Sequence, residues 1–345
     1  MTSRRIQVTA GMGFMLVLAF ALALAFGSVR VPLDQVVTVV FGGTADRAAW
    51  ETIVRDIRMP RAITAAMSGA ALGVAGLQMQ TLFRNPLADP FTLGITSGAG
   101  LGVALVTLAG GGISLGFASG FGPLGALGLT GAAAFGAALV VVLVLLVSRQ
   151  VENPVIVLVV GLMIGYAIAS LVSMLIWFAE PERVNAYIRW GLGTFRTTTW
   201  DDLRIFVPAL AIGLLLTAAT SKTLNALLLG QEYAASMGVD IRRARVLIIA
   251  ASSLLAGTVT AFAGPIGFIG IAIPHLARSV LATADHRTLV PACAILGATV
   301  TLVAEIIAQV PGADVTLPIN AVTALIGAPV VAYVLVRARR RGSLT

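Results

Sequence analysis

The sequence has few of the residues from which soluble proteins and catalytic sites are built. Of its 345 residues only 11% are charged, and it contains one cysteine and two histidines. An ordinary soluble domain carries about 25% charged residues. Because 58% of this chain is hydrophobic, its charged side chains cannot coat a soluble core of that size. The composition excludes a soluble globular enzyme and indicates a protein that crosses the membrane many times.

Particular scarcities exclude particular kinds of chemistry. Cys293 is the only cysteine, so no disulfide can form within the chain. Lys222 is the only lysine and follows a serine, which excludes a phosphate-binding Gly-Lys-[Ser/Thr] loop. His275 and His286 are not at metal-ligand spacing, and no Gly-x-Ser-x-Gly motif marks a serine nucleophile. We therefore expect no catalytic residue, no metal and no bound cofactor on this chain.

Long uncharged runs predict ten membrane-spanning helices, since about 20 apolar residues are needed to cross a bilayer. Two runs are too long for one crossing, and we divide them at Gly110-Gly111-Gly112 and at Gly264-Pro265. The first run is too long for a signal peptide and is kept as a helix. The predicted spans are 6–29, 62–83, 91–109, 121–148, 154–178, 205–221, 246–263, 266–282, 289–309 and 317–336.

An even number of spans places both termini on one side of the membrane. More of the arginines, and Lys222, fall on that side, which the positive-inside rule assigns to the cytoplasm. The same rule accounts for the net charge of +8 without nucleic acid. Two external loops are then expected at 30–61 and 179–204, and one long internal loop at 221–245.

Two features stand out against this background. Residues Gln231 to Gly238 have the pattern of a short capped helix, too polar to span, inside the cell. From pattern alone, a solvated connector and a protein docking surface are equally good interpretations. Glu305 is the one charge clearly inside a predicted span. It is either an acid that packs against a neighbouring helix or thin support for proton-coupled transport.

Several blocks in the same order, from about residue 55 to 336, resemble the FecCD family of permease subunits from ABC importers for iron-siderophores, haem and cobalamin. They are Arg58-Met59-Pro60-Arg61, 68–80, 84–90, 190–195, 229–239, 264–270, Pro274-His275, Asp285-His286-Arg287, 317–319 and 323–329. The resemblance covers most of the chain.

The resemblance implies an all-α, BtuC-like type II ABC importer permease fold, with the whole of 1–345 as one transmembrane domain in the bacterial inner membrane. It also implies a homodimer, two separate ABC ATPase subunits that bind ATP-Mg, and a periplasmic substrate-binding protein. By resemblance, the ATPase coupling residues are Gly230, Gln231, Glu232, Tyr233, Ala234, Met237 and Gly238. Arg58 and Arg61 match the external arginines that dock the binding protein.

The sequence departs from the family pattern at the end of the ninth span. The acid there is Glu305, one methylene longer than the usual aspartate, and Gln309 stands where the family commonly has arginine. We expect both to be pathway or helix-packing residues.

Import of an iron chelate, either a siderophore complex or haem, is the first functional hypothesis. Cobalamin import is the second, and a proton-coupled secondary transporter or an intramembrane enzyme is a weaker alternative.

Overall fold

The protein is described by a computed structural model, which covers residues 2–27, 29–108, 123–151, 153–309 and 316–340. These residues form helices and connections only, with no strand among them. The helices are α1 Thr2–Ala25, α2 Leu33–Val40, α3 Ala48–Thr52, α4 Met59–Leu82, α5 Ile95–Thr107, α6 Pro123–Gln150, α7 Pro154–Phe178, α8 Pro181–Gly191, α9 Trp200–Leu228, α10 Gln231–Ser236, α11 Ile241–Ala263, α12 Ile269–Leu281, α13 His286–Ala308 and α14 Ile319–Arg340.

The predicted membrane helices are confirmed in number and order within the described ranges. Seven helices are long and apolar enough to cross a bilayer, beginning with Ile6–Ala25, and three shorter apolar helices are Ile95–Thr107, Ile269–Leu281 and Ile319–Ala332. The break predicted at Gly264-Pro265 is present, because α11 ends at Ala263 and α12 begins at Ile269. The break predicted at Gly110-Gly111-Gly112 lies outside the described residues.

The described chain forms two compact units: the first comprises Met1–Leu77, Thr194–Pro208 and Ile266–Thr345, and the second comprises Gln78–Gly193 and Ala209–Pro265. In the first unit α13 packs against α1, α12 and α14. In the second unit α5 packs against α6, α7 and α11. There the backbones of α5 and α6 approach so closely that a Cβ on Gly98 would lie 2.5 Å from the carbonyl oxygen of Gly136.

An antiparallel contact between α4 and α13 organises the first unit. A Cβ added to Gly69 would overlap the carbonyl oxygen of Gly297, and the converse is also true. One turn away on each helix, the Thr301 hydroxyl donates to the carbonyl oxygen of Ala65 at 2.7 Å. A Cβ on Gly73, on the other side, would lie 2.9 Å from the Cys293 carbonyl oxygen. Contacts therefore recur every four residues on both helices, as small residues at that spacing permit.

Helix α4 is preceded by more helix than the sequence predicts. The segment 30–61, expected as an external loop, contains α2, α3 and a π-helical turn at Ile53–Arg58 that leads directly into α4. Pro60 has no N–H to donate to the carbonyl of Asp56. The wider turn lies at the point where an α-helical ladder would lose that bond.

Helix α9 is also longer than its predicted span, which ends at residue 221, because it continues to Leu228. Several of its polar side chains are hydrogen-bonded within the helix itself. The hydroxyls of Thr217, Thr220 and Ser221 donate to the carbonyl oxygens of Gly213, Leu216 and Thr217 respectively, at 2.8 to 3.2 Å. Because these hydroxyls are hydrogen-bonded to carbonyls of the preceding turn, they can lie within a helix and do not require a loop. The connection from α9 to α11 is consequently short, and α10 occupies half of it.

The close contact of α4 with α13 predicts a large effect of one methyl group. We expect Gly297→Ala to lower the free energy of unfolding by about 1 to 3 kcal/mol, because the methyl group has backbone and no flexible side chain to displace. The measurement is the thermal unfolding midpoint of the purified protein in detergent. Gly13→Ala in α1, where an added Cβ meets nothing within 4 Å, is the control and should not lower the midpoint. An equal midpoint for the two variants would contradict the tight contact.

Candidate functional site

A buried group of polar side chains lies in the first unit, where α1 and α13 end and α4 begins. Arg58 is only 5% exposed. One of its terminal nitrogens donates to the carbonyl oxygens of Leu24 and Ala25, both at 2.8 Å, and the other donates to Val29. The last carbonyls of a helix have no partner within it. Arg58 therefore binds the end of α1 and orders the chain that leaves it.

Arg61 forms an ion pair with Glu305 in the same group. Their side chains are 12% and 3% exposed, and the amide nitrogen of Gln309 donates to the Glu305 carboxylate at 3.2 Å. Gly27 sits against this group, since a Cβ there would lie 2.7 Å from an Arg58 nitrogen and 2.9 Å from the Gln309 amide oxygen. This pair continues the contact of α4 with α13 by one more turn beyond Ala65 and Thr301.

Arg196 adds a third arginine near the Arg61–Glu305 pair. It donates to the Thr316 hydroxyl at 3.1 Å. The group, hereafter the arginine cluster, thus contains Arg58, Arg61 and Arg196 with Glu305 as its one acid. Arg58 and Arg61 are largely buried and Arg196 is exposed, and burial of cations beside one anion is costly unless each is hydrogen-bonded. Here, carbonyl oxygens, a carboxylate and a hydroxyl serve as those partners.

Arg58 and Arg61, which the resemblance assigns to docking of a binding protein, are both engaged by partners within the chain. Arg58 is held by the carbonyls that end α1, and Arg61 is held by Glu305. The geometric reason is that Arg58 ends the π-helical turn before α4 and Arg61 lies in the first turn of α4, where they contact the ends of α1 and α13 respectively. Their role in docking a binding protein stays a prediction. Glu305 and Gln309, expected as pathway or packing residues, lie in the same cluster and connect helices.

The predicted coupling residues form a second site, in the second unit. Helix α10 is short and is bounded by Gly230 and Gly238, whose φ angles are +108° and +85°. These left-handed conformations favour glycine, and they turn the chain sharply on both sides of the helix. Ala234 is fully buried, while Glu232, Tyr233 and Met237 are exposed. The helix is therefore packed against the chain through one small residue. It exposes an acid, an aromatic ring and a thioether on its surface.

A cavity of about 690 Å³ lies beside α10. It is bounded by the end of α6, by α10 and by the first turn of α11. The polar residues in its lining are Ser148, Arg149, Gln150, Gln231, Glu232, Arg242 and Arg245. Arg245 is nearly buried and donates to the carbonyl oxygen of Val151, which fixes the chain that follows α6 against α11. Gln231 and Glu232 thus face a basic recess.

Comparison with known proteins identifies the kind of molecule in which these two sites occur. The model of the FecCD transport family matches residues 15–337. The chain belongs to the FecCD transport family. An uncharacterized ABC transporter permease protein, YvrB of Bacillus subtilis, is 35% identical over 336 residues, which are 95% of this chain and 92% of YvrB.

Two further comparisons agree with this assignment. The vitamin B12 import system permease protein BtuC of Klebsiella pneumoniae is 35% identical over 295 residues, 86% of each chain. A solved structure, described as an inward-facing conformation of a metal-chelate type ABC transporter, superimposes with a TM-score of 0.83 at 27% identity, covering 96% of this chain and 99% of the other. This FecCD protein is accordingly a permease subunit of an ABC transporter, a transport component.

Sequence patterns did not single out several residues of the two sites. Arg149 lies about ninety positions before Arg242 and Arg245, so nothing in their spacing indicates one cavity. Arg196 lies in the predicted external loop 179–204 and Arg61 in the predicted external loop 30–61, and nothing in their spacing indicates that they lie close together. In the part of the chain that the structure describes, no group of three His, Cys, Asp or Glu residues is placed to hold a metal ion.

The ion pair in the arginine cluster predicts a strong dependence on both partners. We expect Glu305→Gln to lower the free energy of unfolding by about 3 kcal/mol, because the Arg61 guanidinium then stays buried without its counter-charge. The double variant Arg61→Met with Glu305→Gln should recover part of that loss. Thermal unfolding of the four proteins in detergent, arranged as a double-mutant cycle, measures the coupling.

The control for this cycle is an exposed ion pair in the same segment. Arg55 contacts Glu51 at 3.3 Å with 54% of its side chain exposed, and exposed pairs contribute little. Arg55→Gln should leave the unfolding midpoint nearly unchanged. If Glu305→Gln behaves like Arg55→Gln, the Arg61–Glu305 pair does not stabilise the contact of α4 with α13.

Proposed function

We propose that this chain is the membrane permease of an ATP-driven importer for an organic metal chelate. It works as a homodimer in the bacterial inner membrane, with both termini in the cytoplasm. Two ABC ATPase subunits carry out the ATP hydrolysis, and a periplasmic binding protein delivers the chelate. An iron chelate, either a siderophore complex or haem, is the first candidate, and cobalamin is the second because BtuC relatives are 35% identical.

The observation that carries the proposal is the form of α10. A docking helix needs a rigid connection to the membrane helices and an exposed face for its partner. Only Leu229 and Gly230 separate α10 from the end of α9. The fully buried Ala234 packs α10 against the rest of the chain. The α10 side chains Glu232 and Tyr233 are exposed and do not belong to the chain's own core. They also differ from the purely apolar side chains that usually face lipid. The lining of the adjacent cavity by Glu232 shows that the acid stands at the rim of a recess.

In this proposal, nucleotide-driven closure of the two ATPase subunits moves α10, and α10 moves α9 and α11. Transmission of that kind requires two packed arrangements of the helices that alternate access. Short connections favour it, because a long flexible loop would absorb the displacement. Asp240 strengthens the second connection: its carboxylate accepts from the backbone N–H of Arg243 at 3.0 Å and caps the start of α11.

The contact with the ATPase predicts separate effects on assembly and stability. We expect Glu232→Ala with Tyr233→Ala to reduce co-purification of the ATPase subunit at least about tenfold, since exposed aromatic and charged residues at an interface centre carry much of its affinity. Uptake should fall in parallel. The thermal unfolding midpoint of the permease alone should not change, because both side chains are exposed.

Glu182→Ala is the matched control, since Glu182 is an exposed acid in the first turn of the short helix α8. It should retain both ATPase binding and uptake. Normal attachment and normal uptake in the double variant would refute the coupling role of α10.

The chelate is identified by transport with the complete system. Proteoliposomes that contain the permease and its ATPase, supplied with the binding protein, are given radiolabelled ferric siderophore, haem or cobalamin. We expect ATP-dependent uptake of an iron chelate and inhibition of that uptake by vanadate. Uptake of cobalamin alone would select the second candidate. Uptake that is driven by a pH gradient without the ATPase would contradict an ATP-driven importer.

A further inference from the structure

The basic cavity beside α10 has a second feature, which the coupling role does not use. Three of its lining residues are arginines, Arg149, Arg242 and Arg245, against one acid, Glu232. Arg149 and Arg242 are exposed, so their guanidinium groups can reach a ligand from outside. Planar guanidinium groups bind phosphate oxygens with two parallel hydrogen bonds. The cavity therefore suits an anion, and a phosphate group is one that these arginines can bind in this way.

An exposed apolar stripe on α6 leads to this cavity. Its members are Phe135, Leu139, Val142 and Leu146, which are 72%, 49%, 52% and 50% exposed. Their spacing of four, three and four residues places them along one face of the helix, and the next position at that spacing is Arg149. A single line of surface on α6 thus runs from apolar side chains to the arginine at the cavity.

We propose that this cavity binds the phosphate head group of an anionic phospholipid whose acyl chains lie along the stripe on α6. A continuous apolar stripe that ends at clustered arginines fits an amphiphile, whereas a free phosphate would use only the arginines. Basic recesses at the cytoplasmic ends of membrane helices are suited to such head groups. A cavity of about 690 Å³ has room for a phosphodiester head group with water.

The lipid would bind next to the helix that is proposed to contact the ATPase. Gln231 and Glu232 line the same cavity, so an occupied cavity would hold the start of α10 against the end of α6 and the start of α11. The choice of the cytoplasmic leaflet rests on the proposed function and orientation. Binding of the lipid itself rests only on the arginines and the stripe.

The test measures lipid binding by the full-length permease in detergent, without ATP, by native mass spectrometry. The probes are phosphatidylglycerol and phosphatidylcholine with the same acyl chains. We expect the unaltered protein to bind phosphatidylglycerol more tightly. The variant Arg149→Gln with Arg242→Gln should weaken phosphatidylglycerol binding by about tenfold or more while phosphatidylcholine binding stays the same, because each arginine near an anionic head group contributes to its attraction.

The matched control is Arg243→Gln. Arg243 neighbours Arg242 in the sequence, but it is 86% exposed, contacts Asp240 at 3.1 Å and does not line the cavity. This variant should bind phosphatidylglycerol as the unaltered protein does. Equal loss in Arg243→Gln would mean that the attraction is a general effect of charge and would overturn the site. Equal binding of the two lipids by the unaltered protein would overturn it as well.

Two further arms distinguish other occupants. Glycerol 3-phosphate in millimolar excess should not displace phosphatidylglycerol, since it lacks the acyl chains that contact the stripe; displacement would identify the cavity as a site for soluble phosphates. A second outcome concerns the variant Arg149→Gln with Arg242→Gln. If it loses the ATPase on co-purification but keeps its phosphatidylglycerol binding, an acidic segment of the ATPase occupies the cavity and the lipid proposal is wrong. None of the lipid measurements depends on transport, so failure of the proposed import function would leave them interpretable.

Discussion

The contact between α4 and α13 is the constraint on which the first unit depends. Between helices in lipid there is no hydrophobic driving force, so association relies on close packing and on polar contacts across the interface. Gly69 and Gly297 bring the backbones together. That approach allows the Thr301 hydroxyl to reach the carbonyl of Ala65. One turn further on, Arg61 meets Glu305. The polar contacts are possible because the glycines are there.

Helix burial divides the membrane helices into an inner and an outer class. In Ala48–Leu82, 83% of the most apolar window is buried, compared with 22% in Pro154–Phe178 and 28% in Trp200–Leu228. Small residues at regular spacing favour the first class, because they bring several helices into contact with one. Helices of the second class present large apolar side chains, such as Met174 and Trp177 in α7, to whatever surrounds the chain.

The sequence predicts the membrane helices well because length and charge decide them. A run of apolar residues has no other stable arrangement in a bilayer, since only a helix satisfies its own backbone groups there. The limits of the helices are harder to predict. Charged and hydroxyl residues suggested that one helix begins after residue 61 and that another ends at residue 221. Arg58, however, bonds to the end of α1 from a helical turn that leads into α4, and Thr217 and Ser221 bond within α9. Polar residues whose side chains bond in this way do not mark the limits of a helix.

The candidate sites could be predicted only where their residues are consecutive. Residues 230–238 form one short helix between two glycines, and pattern alone indicates it. The basic cavity brings Arg149 together with Arg242, and the arginine cluster brings Arg58 together with Glu305. Such groups arise from packing between distant segments, which a single sequence does not record. Their charges still gave some information. A charged residue next to an apolar run must be paired or must face water, so each of these residues could be expected to have a partner or an exposed position.

The two sites also differ in what their charges can do. In the arginine cluster, Glu305 is held between Arg61 and Gln309, and its ion pair connects α13 to α4. In the cavity beside α10, exposed arginines face one acid and remain open to an outside anion. The chain thus has fixed charges that connect α4 to α13, and accessible charges beside the short helix α10.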